Sequence, residues 1–519
     1  MLTNLDLSIL VIYVIGLLVL AWWISRDDGN HQKDTNDYFL AGNSLPWWAI
    51  GASLIAANIS AEQIIGMSGS GYAIGLGIAS YEWMGALTLI IVGKYFLPIF
   101  LKRKIYTMPQ FLQQRFDNRV RTTLALFWLG VYVFVNLTAV LWLGALAIHT
   151  MTGLDLTASM LILALLSVAY SLYGGLKAVA YTDIIQVVLL VAGGLFLSTL
   201  ALQQLGDGAG VLAGLDRLFA EAPDKFDMIL TPDNPHYVSL PGISVLVGGL
   251  WVMNLSYFGF NQYIIQRTLA AKDLPEAQKG IVFAAFLKLL MPIIVVLPGI
   301  AAVLILPELS KPDQAYPQLM SLMPSGVKGL IFAALVAAIL SSLASMTNSV
   351  ATIFTMDIYA QLKPNQSQKQ YVLVGRVVSL LALVLALLTA EPLLGKFEQA
   401  FQYIQEFTGF FTPGIVVLFL LGMFWRQMTA TAALVAAVGS AALSLLFKFN
   451  LPTLPFMDRV GLVFLCCLGL AVLVSLLKPE DTSGKAVELE DIQFDTRASF
   501  NWASVAVCLV LAALYATWW

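Results

Sequence analysis

Asn58, Ser60, Glu62 and Gln63 stand in the middle of a hydrophobic segment, residues 52–72, and Gly66, Gly69 and Gly71 follow just behind them. Amide, hydroxyl and carboxylate groups left unpaired in hydrocarbon cost several kcal/mol each, so a lipid-facing helix cannot carry this set. The segment is credible only if it is buried among other helices and locally unwound around an ion or solute. Interrupted membrane helices of this kind point to a transporter's binding site. Further along, Glu82 and Lys288 are ionisable residues inside apolar spans. A charge there costs about 2.5–3.5 kcal/mol, so each is expected to be paired or to face a ligand. Gln63, Asn136, Asn254 and Gln405 supply amides, and Tyr257 an aromatic face. Ser341 and Ser342 sit together in an otherwise apolar span, one turn after Ala338.

The setting that must position these groups is a membrane. Of 519 residues, 59% are hydrophobic and only 11% charged, outside the range of soluble globular domains. The net charge of −3 gives no sign of nucleic-acid binding. Cys466, Cys467 and Cys508 fall in apolar runs, and His31, His149 and His236 are scattered, so neither a disulfide framework nor a metal cluster is expected. The N-terminal apolar run lacks a basic n-region and a small-residue cleavage site, which predicts a retained helix rather than a signal peptide.

Apolar windows of roughly 20 residues recur about fourteen times, predicting an all-α, polytopic membrane protein. Residues 203–239 form the one sizeable exposed loop of the first half, and 209–221 within it could make a short surface helix. Lys102, Arg103, Lys104, Arg115, Arg119 and Arg121 crowd the link after the third span, which is therefore placed in the cytoplasm. Counting spans from there puts the segment 478–497 inside and both termini outside; the expected location is the cell (inner) membrane.

Two strings repeat. Asn58-Ile-Ser60 returns as Asn254-Leu-Ser256, and Lys94-Tyr-Phe-Leu-Pro98 as Lys288-Leu-Leu-Met-Pro292, both about 195 residues later. Two matches in order at one offset, with an odd number of spans between, predict a five-plus-five inverted-repeat core. The organisation expected is a peripheral helix and cytoplasmic loop (1–46), a first repeat (47–203), an extracellular loop (204–238), a second repeat (239–424) and peripheral helices (425–519).

The strings Gly51-Ala-Ser-Leu-Ile-Ala-Ala-Asn-Ile-Ser-Ala-Glu-Gln63, Tyr81-Glu-Trp83, Phe260-Asn-Gln-Tyr-Ile-Ile-Gln-Arg-Thr268, Ser341-Ser-Leu-Ala-Ser345 and Phe401-Gln-Tyr-Ile-Gln405 resemble the sodium/solute symporter family, in its sodium/galactose–glucose branch. The likeness runs from the Asp-Tyr-Phe-Leu-Ala-Gly run at 37–42 to the last span. It implies an inverted-repeat bundle that exposes its site alternately to either side, with sodium as the coupled ion and a small sugar as the solute.

A monovalent hard cation in a membrane wants several neutral oxygen ligands, which an unwound helix and nearby hydroxyls can offer. The resemblance carries the sodium site onto the carbonyls of Ala56, Ile59 and Ala338 and the hydroxyls of Ser341 and Ser342. The other reading of the serine pair is small-residue packing, or bonding back to the preceding turn. By the same resemblance Gln63, Glu82, Asn254, Lys288 and Gln405 correspond to sugar-contacting positions, beside Asn136. Asn58 and Tyr257 correspond to an inner gate, Met67, Tyr81 and Phe401 to an apolar outer lid, and Asp183 to a carboxylate on the sodium exit path. Interhelical hydrogen bonds, plain packing and a structural ion pair are the competing roles for these residues.

The chain departs from the branch's pattern at three places. Gly85 stands where a serine follows Tyr-Glu-Trp-Met, and Ser256 and Phe258 flank Tyr257 where two bulky aromatics are usual. One sugar hydroxyl is thereby expected to lose a partner, and the pocket to gain room near Tyr257. The reading is a sodium-coupled hexose symporter. Its alternatives are a symporter of another polyol such as inositol and, in a different class, a sugar sensor that moves nothing. A membrane enzyme is not expected, because no nucleophile–base constellation is present; nothing in the chain speaks to oligomeric state.

Overall fold

The computed structural model describes residues 2–24, 43–105, 107–395, 399–482 and 484–519, and the sequence run 37–42 and His31 lie outside them. Among the described residues the chain is helical with no strand, only a single bridge between Leu45 and Ala271. The helices are α1 (Asn4–Ile24), α2 (Trp47–Asn58), α3 (Glu62–Ala73), α4 (Leu76–Arg103), α5 (Met108–Arg115) and α6 (Asn118–Thr152). They continue as α7 (Leu156–Leu205), α8 (Val211–Glu221), α9 (249–260), α10 (Gln262–Leu269), α11 (Leu274–Ile305) and α12 (Val327–Leu362). The last six are α13 (Gln368–Leu394), α14 (Ala400–Thr408), α15 (Thr412–Phe424), α16 (Ala430–Asn450), α17 (Phe456–Leu477) and α18 (Ala498–Thr517). The surface helix expected at 209–221 is α8.

Boundaries follow from capping chemistry. Asp117 starts α6 by accepting from the N–H groups of Arg119 (2.9 Å) and Val120 (3.1 Å), and Asp155 starts α7 the same way through Thr157 and Ala158. Gly153 ends α6 at φ 77°, a left-handed position that a side chain would strain.

Nine helices among the described residues are long and apolar enough to cross a membrane, and two bent pairs, α2 with α3 and α14 with α15, bring the number to eleven. The other three expected spans fall on α1, on the first part of α7 and on the interrupted α9–α10 segment, which are short or broken as apolar helices. Burial separates centre from rim. In α12, 94% of the apolar window is buried inside the protein, against 17% in α13, although both are strongly hydrophobic. Helix α12 packs on α7 and α1, α11 on α2 and α4, and α2 on α7, so the broken segment lies in the middle of the bundle. The repeated strings do not have equal fates: Lys288 is buried, whereas Lys94 is part-exposed with its ammonium over Tyr95.

The two ends of the bundle are distinct. Leu2 N–H bonds the Met151 carbonyl, and the Trp518 carbonyl accepts from Met228 N–H, so both chain ends meet the loops at 150–155 and 203–239. At the other end Arg103 donates to the Ala486 carbonyl and Lys485 to that of Phe116, so the 478–497 segment meets the basic link. There Arg115, 2% exposed, donates to the carbonyls of Gly422 (2.8 Å), Trp425 (3.0 Å), Arg426 (3.1 Å) and Met428 (3.2 Å). These carbonyls run from the last turn of α15 into the link to α16, where no helix supplies their donors. Arg115→Met is expected to lower stability by about 2–4 kcal/mol, read as a fall of several degrees in the unfolding midpoint in detergent. An unchanged midpoint would show that α15 is terminated without it.

Candidate functional site

The break between α2 and α3 bends the span by 59°. Ile59 leaves helical geometry at ψ 69°, and Ser60 N–H turns to the Asn58 carbonyl (2.8 Å) in place of Ala56, its partner in an unbroken helix. The Ala56 carbonyl is thereby released. Past the break, Glu62–Met67 continues as a π-helical turn, and further π turns occupy Tyr132–Leu137 in α6 and Ser256–Phe260 in α9. Such wide turns gather at functional sites. Here they carry Gln63, Asn136 and Tyr257.

Those three residues line one cavity together with Asn58, Tyr81, Glu82, Asn254, Lys288, Phe401 and Gln405. Every polar residue expected to contact the sugar therefore converges, from α3, α4, α6, α9, α11 and α14. Lys288 Nζ donates to Glu82 Oε2 at 2.6 Å and to Asn58 Oδ1, and lies 5.0 Å from the centre of the Phe258 ring. Asn58 Nδ2 in turn donates to the Tyr257 hydroxyl (3.2 Å), which bonds that of Tyr263 (2.7 Å). Several groups in the cavity wall are buried without a partner: Gln63 Oε1, Asn136 Oδ1, Asn254 Nδ2 and Glu62 Oε1. At the far end Tyr81 and Phe401 meet edge to face, 5.1 Å between ring centres. Met67 is fully buried in α3 and does not line the cavity.

Glu62, Trp128, Asn261, Thr408 and Thr412 also form the wall, and none of them carries an expected role from the sequence. Thr408 and Thr412 straddle the 48° bend between α14 and α15. A pair of threonines flanking Gly409 was the signal available. The room expected beside Tyr257 is not found at Gly85: a Cβ there would come within 2.9 Å of Phe258, whose ring fills the space.

Ser341 and Ser342 lie on α12 where it packs against α2. Ser341 donates to Asp183 Oδ1 (2.5 Å), and Ser53 of α2 to Asp183 Oδ2 (2.7 Å). Arg267 of α10 reaches Ser53 (2.8 Å), Ser345 (3.0 Å) and Asp183 (3.5 Å). Ser342 Oγ is buried with no partner. Asp183 is thus an ion-pair partner that also touches one of the two serines.

Asp313, in the loop between α11 and α12, accepts from Ala400 N–H (3.0 Å) at the start of the helix that carries Phe401 and Gln405. It packs so closely on Gly69 of α3 that a Cβ there would lie 2.8 Å from the Asp313 backbone. Burial pushes its carboxyl up to about 7, against the opposing pull of the Ala400 N–H and the Lys311 ammonium.

A broken central helix, a polar cavity at the break and an all-helical membrane bundle define a secondary transporter. The model of the Sodium:solute symporter family matches residues 38–439, and the chain belongs to that family. It is 52% identical to a sodium/glucose cotransporter of Vibrio parahaemolyticus, covering 100% of this chain and 99% of that one. It is 34% identical to sodium/myo-inositol cotransporter 2 of Oryctolagus cuniculus, over 82% of this chain and 67% of that one. In fold it is similar to a substrate-bound, outward-open Na+-coupled sialic acid symporter, with a TM-score of 0.80 at 24% identity over 92% of this chain and 99% of that chain.

Gly85→Ser is expected to act by displacing the Phe258 ring from Lys288. It should change the ratio of galactose to glucose uptake only while Phe258 is present; the same change in a Phe258→Ala background would show a direct contact instead. For Asp313 the folded carboxyl titrates above its unfolded value, so the folded state holds the extra proton between about pH 4 and 7. Stability from this group is present at low pH and is lost as pH rises through about 7. The unfolding midpoint should therefore fall more between pH 5 and 8 in wild type than in Asp313→Asn, and equal slopes would place the titration elsewhere.

Proposed function

We propose that the chain is a sodium-coupled symporter that imports a hexose, galactose or glucose, by alternating access. The observation that carries the sugar is the set of unpartnered buried atoms converging in one cavity: acceptors on Glu62, Gln63 and Asn136, donors at Asn254 Nδ2 and Trp128 Nε1, and the hydroxyls of Tyr81 and Thr408. Hydroxyls that both donate and accept, spread around a ring, satisfy that set. The Vibrio relative named a sodium/glucose cotransporter supports the same choice, and the inositol cotransporter at lower identity keeps a cyclic polyol as the second reading.

In this reading Gln63, Glu82, Asn136, Asn254, Lys288 and Gln405 hold the hydroxyls. Tyr257 and Asn58, already bonded to each other, close the inner side; Tyr81 and Phe401, with Met67 behind them, close the outer. Sodium binds the released Ala56 carbonyl, those of Ile59 and Ala338, and the Ser341 and Ser342 hydroxyls. The orphaned Ser342 Oγ and the break at Ile59 support that placement. Asp183, bonded to Ser341, receives the ion on its way to the cytoplasm. The inverted repeats 47–203 and 239–424 rock about this centre in the inner membrane, with both termini extracytoplasmic on the face opposite the basic link.

The driving force is adequate. A tenfold sodium gradient supplies about 1.4 kcal/mol and a 100 mV potential about 2.3 kcal/mol per charge. Each sodium can therefore support accumulation of a neutral sugar by roughly a few hundredfold. Coupling needs only that sodium favour the state that binds sugar from outside.

Uptake by proteoliposomes with and without an inward sodium gradient tests both halves. Ser342→Ala should weaken sodium activation while the protein still inserts. Glu82→Gln and Gln405→Ala should each lose most hexose uptake, at about 1–3 kcal/mol for each sugar hydroxyl left unpaired, and still bind sodium. Unaltered sodium activation in the first, or wild-type hexose affinity in the other two, would move the corresponding site.

A further inference from the structure

We propose that Glu62 is a direct ligand of the transported sugar, accepting a hydroxyl hydrogen bond on Oε1; this rests on the hexose reading above and adds a contact that sets which hydroxyl pattern is accepted. Glu62 lines the cavity and is 4% exposed, and its Oε1 is buried with no hydrogen-bond partner. Its backbone is already committed, with its N–H donating to Ser60 Oγ at 3.3 Å. The Asn136 side chain lies against the carboxylate from α6, which leaves Oε1 as the atom open to a ligand.

A carboxylate in such a place asks first for a cation. Lys288 is the one basic residue in the described cavity wall, and it is spent on Glu82 and Asn58. No described ion pair includes Glu62. The π turn that begins at Glu62 carries both it and Gln63, which line the same wall. The three unpartnered acceptors, Glu62 Oε1, Gln63 Oε1 and Asn136 Oδ1, then form one patch facing the space a solute would fill. Each of these oxygens needs a donor, and a solute hydroxyl in the cavity can supply one. Glu62 is acceptor-only when ionised, which makes its contact the least forgiving of a missing hydroxyl.

The test is equilibrium binding and sodium-driven uptake of galactose, glucose and their monodeoxy derivatives by the full-length protein, in wild type, Glu62→Ala, Glu62→Gln and Glu82→Gln. Wild type should lose roughly 10- to 100-fold in affinity for one deoxy sugar whose hydroxyl meets Glu62. In Glu62→Ala the parent sugar should weaken by a similar factor and that single deoxy penalty should vanish, while the penalties at other positions and the sodium concentration for half-activation stay put. Glu62→Gln should regain part of the parent affinity. The same pattern of penalties in Glu62→Ala as in wild type overturns the assignment. If Glu62→Ala does not insert, Glu62→Gln decides alone, since penalties undiminished at every position overturn the proposal and one selectively reduced supports it. Wild-type hexose binding by Glu82→Gln would instead overturn the hexose cavity itself, a result the Glu62 variants cannot produce.

Discussion

Lys288 must find its counter-charge before the bundle can close. A lone ammonium at the centre of a membrane protein is costly, and removing one partner of a buried pair typically costs about 3–5 kcal/mol. Its partners come from three other helices: Glu82 on α4, Asn58 at the end of α2 and the Phe258 ring on α9. The pair therefore fixes where the broken segment sits relative to α4 and α11, and the cavity is the space those helices leave around it. Asn58 then positions the Tyr257 hydroxyl, whose placement depends on the same charge.

From Tyr257 a chain of bonded groups leads to the other polar centre. Its hydroxyl meets Tyr263, whose carbonyl accepts from Arg267, and Arg267 reaches Ser53 and Asp183, to which Ser341 also donates. The cavity and the Ser341 region are thus connected through side chains with few alternative partners in the interior. Communication between them does not require that sodium touch the sugar. It requires that this network have two arrangements and that each solute prefer one.

The chemistry of the site was legible because polar residues in apolar spans have so few places to go. Glu82, Lys288, Gln63, Asn254 and Gln405 could be singled out by type and depth alone, and all of them meet. Helix boundaries were readable for the same reason wherever a cap such as Asp117 or Asp155 preceded an apolar run. The π turns were not readable, since they arise from how neighbouring helices pack and leave no residue signature in Glu62–Met67 or Tyr132–Leu137. That is why Glu62 had no role before the fold was seen. The match of Lys94 to Lys288 also failed to carry function: two similar strings can occupy a rim and a centre, and only packing distinguishes them. Gly85 gave the opposite lesson, because the volume it vacates is taken by a ring from α9 that its own span could not reveal.

At the bundle end that holds both chain ends, Asp6 of α1 is fully buried and accepts from the N–H groups of Gly326 (2.7 Å) and Gly329 (3.0 Å), with Lys328 Nζ at 3.8 Å. The two partners are separated by 320 residues of chain. At ribosomal speeds of roughly 5–20 residues per second, α1 emerges on the order of 15–60 s before the amides it needs exist. Throughout that interval the first helix must wait at the membrane with Asp6 Oδ2 bonded by Thr3 N–H and Oγ1 but Oδ1 open, held by lipid headgroups, water or the insertion machinery. Assembly therefore includes a docking event between the earliest helix made and one made past the middle of synthesis, and a defect at Asp6 would surface as failed assembly rather than failed transport.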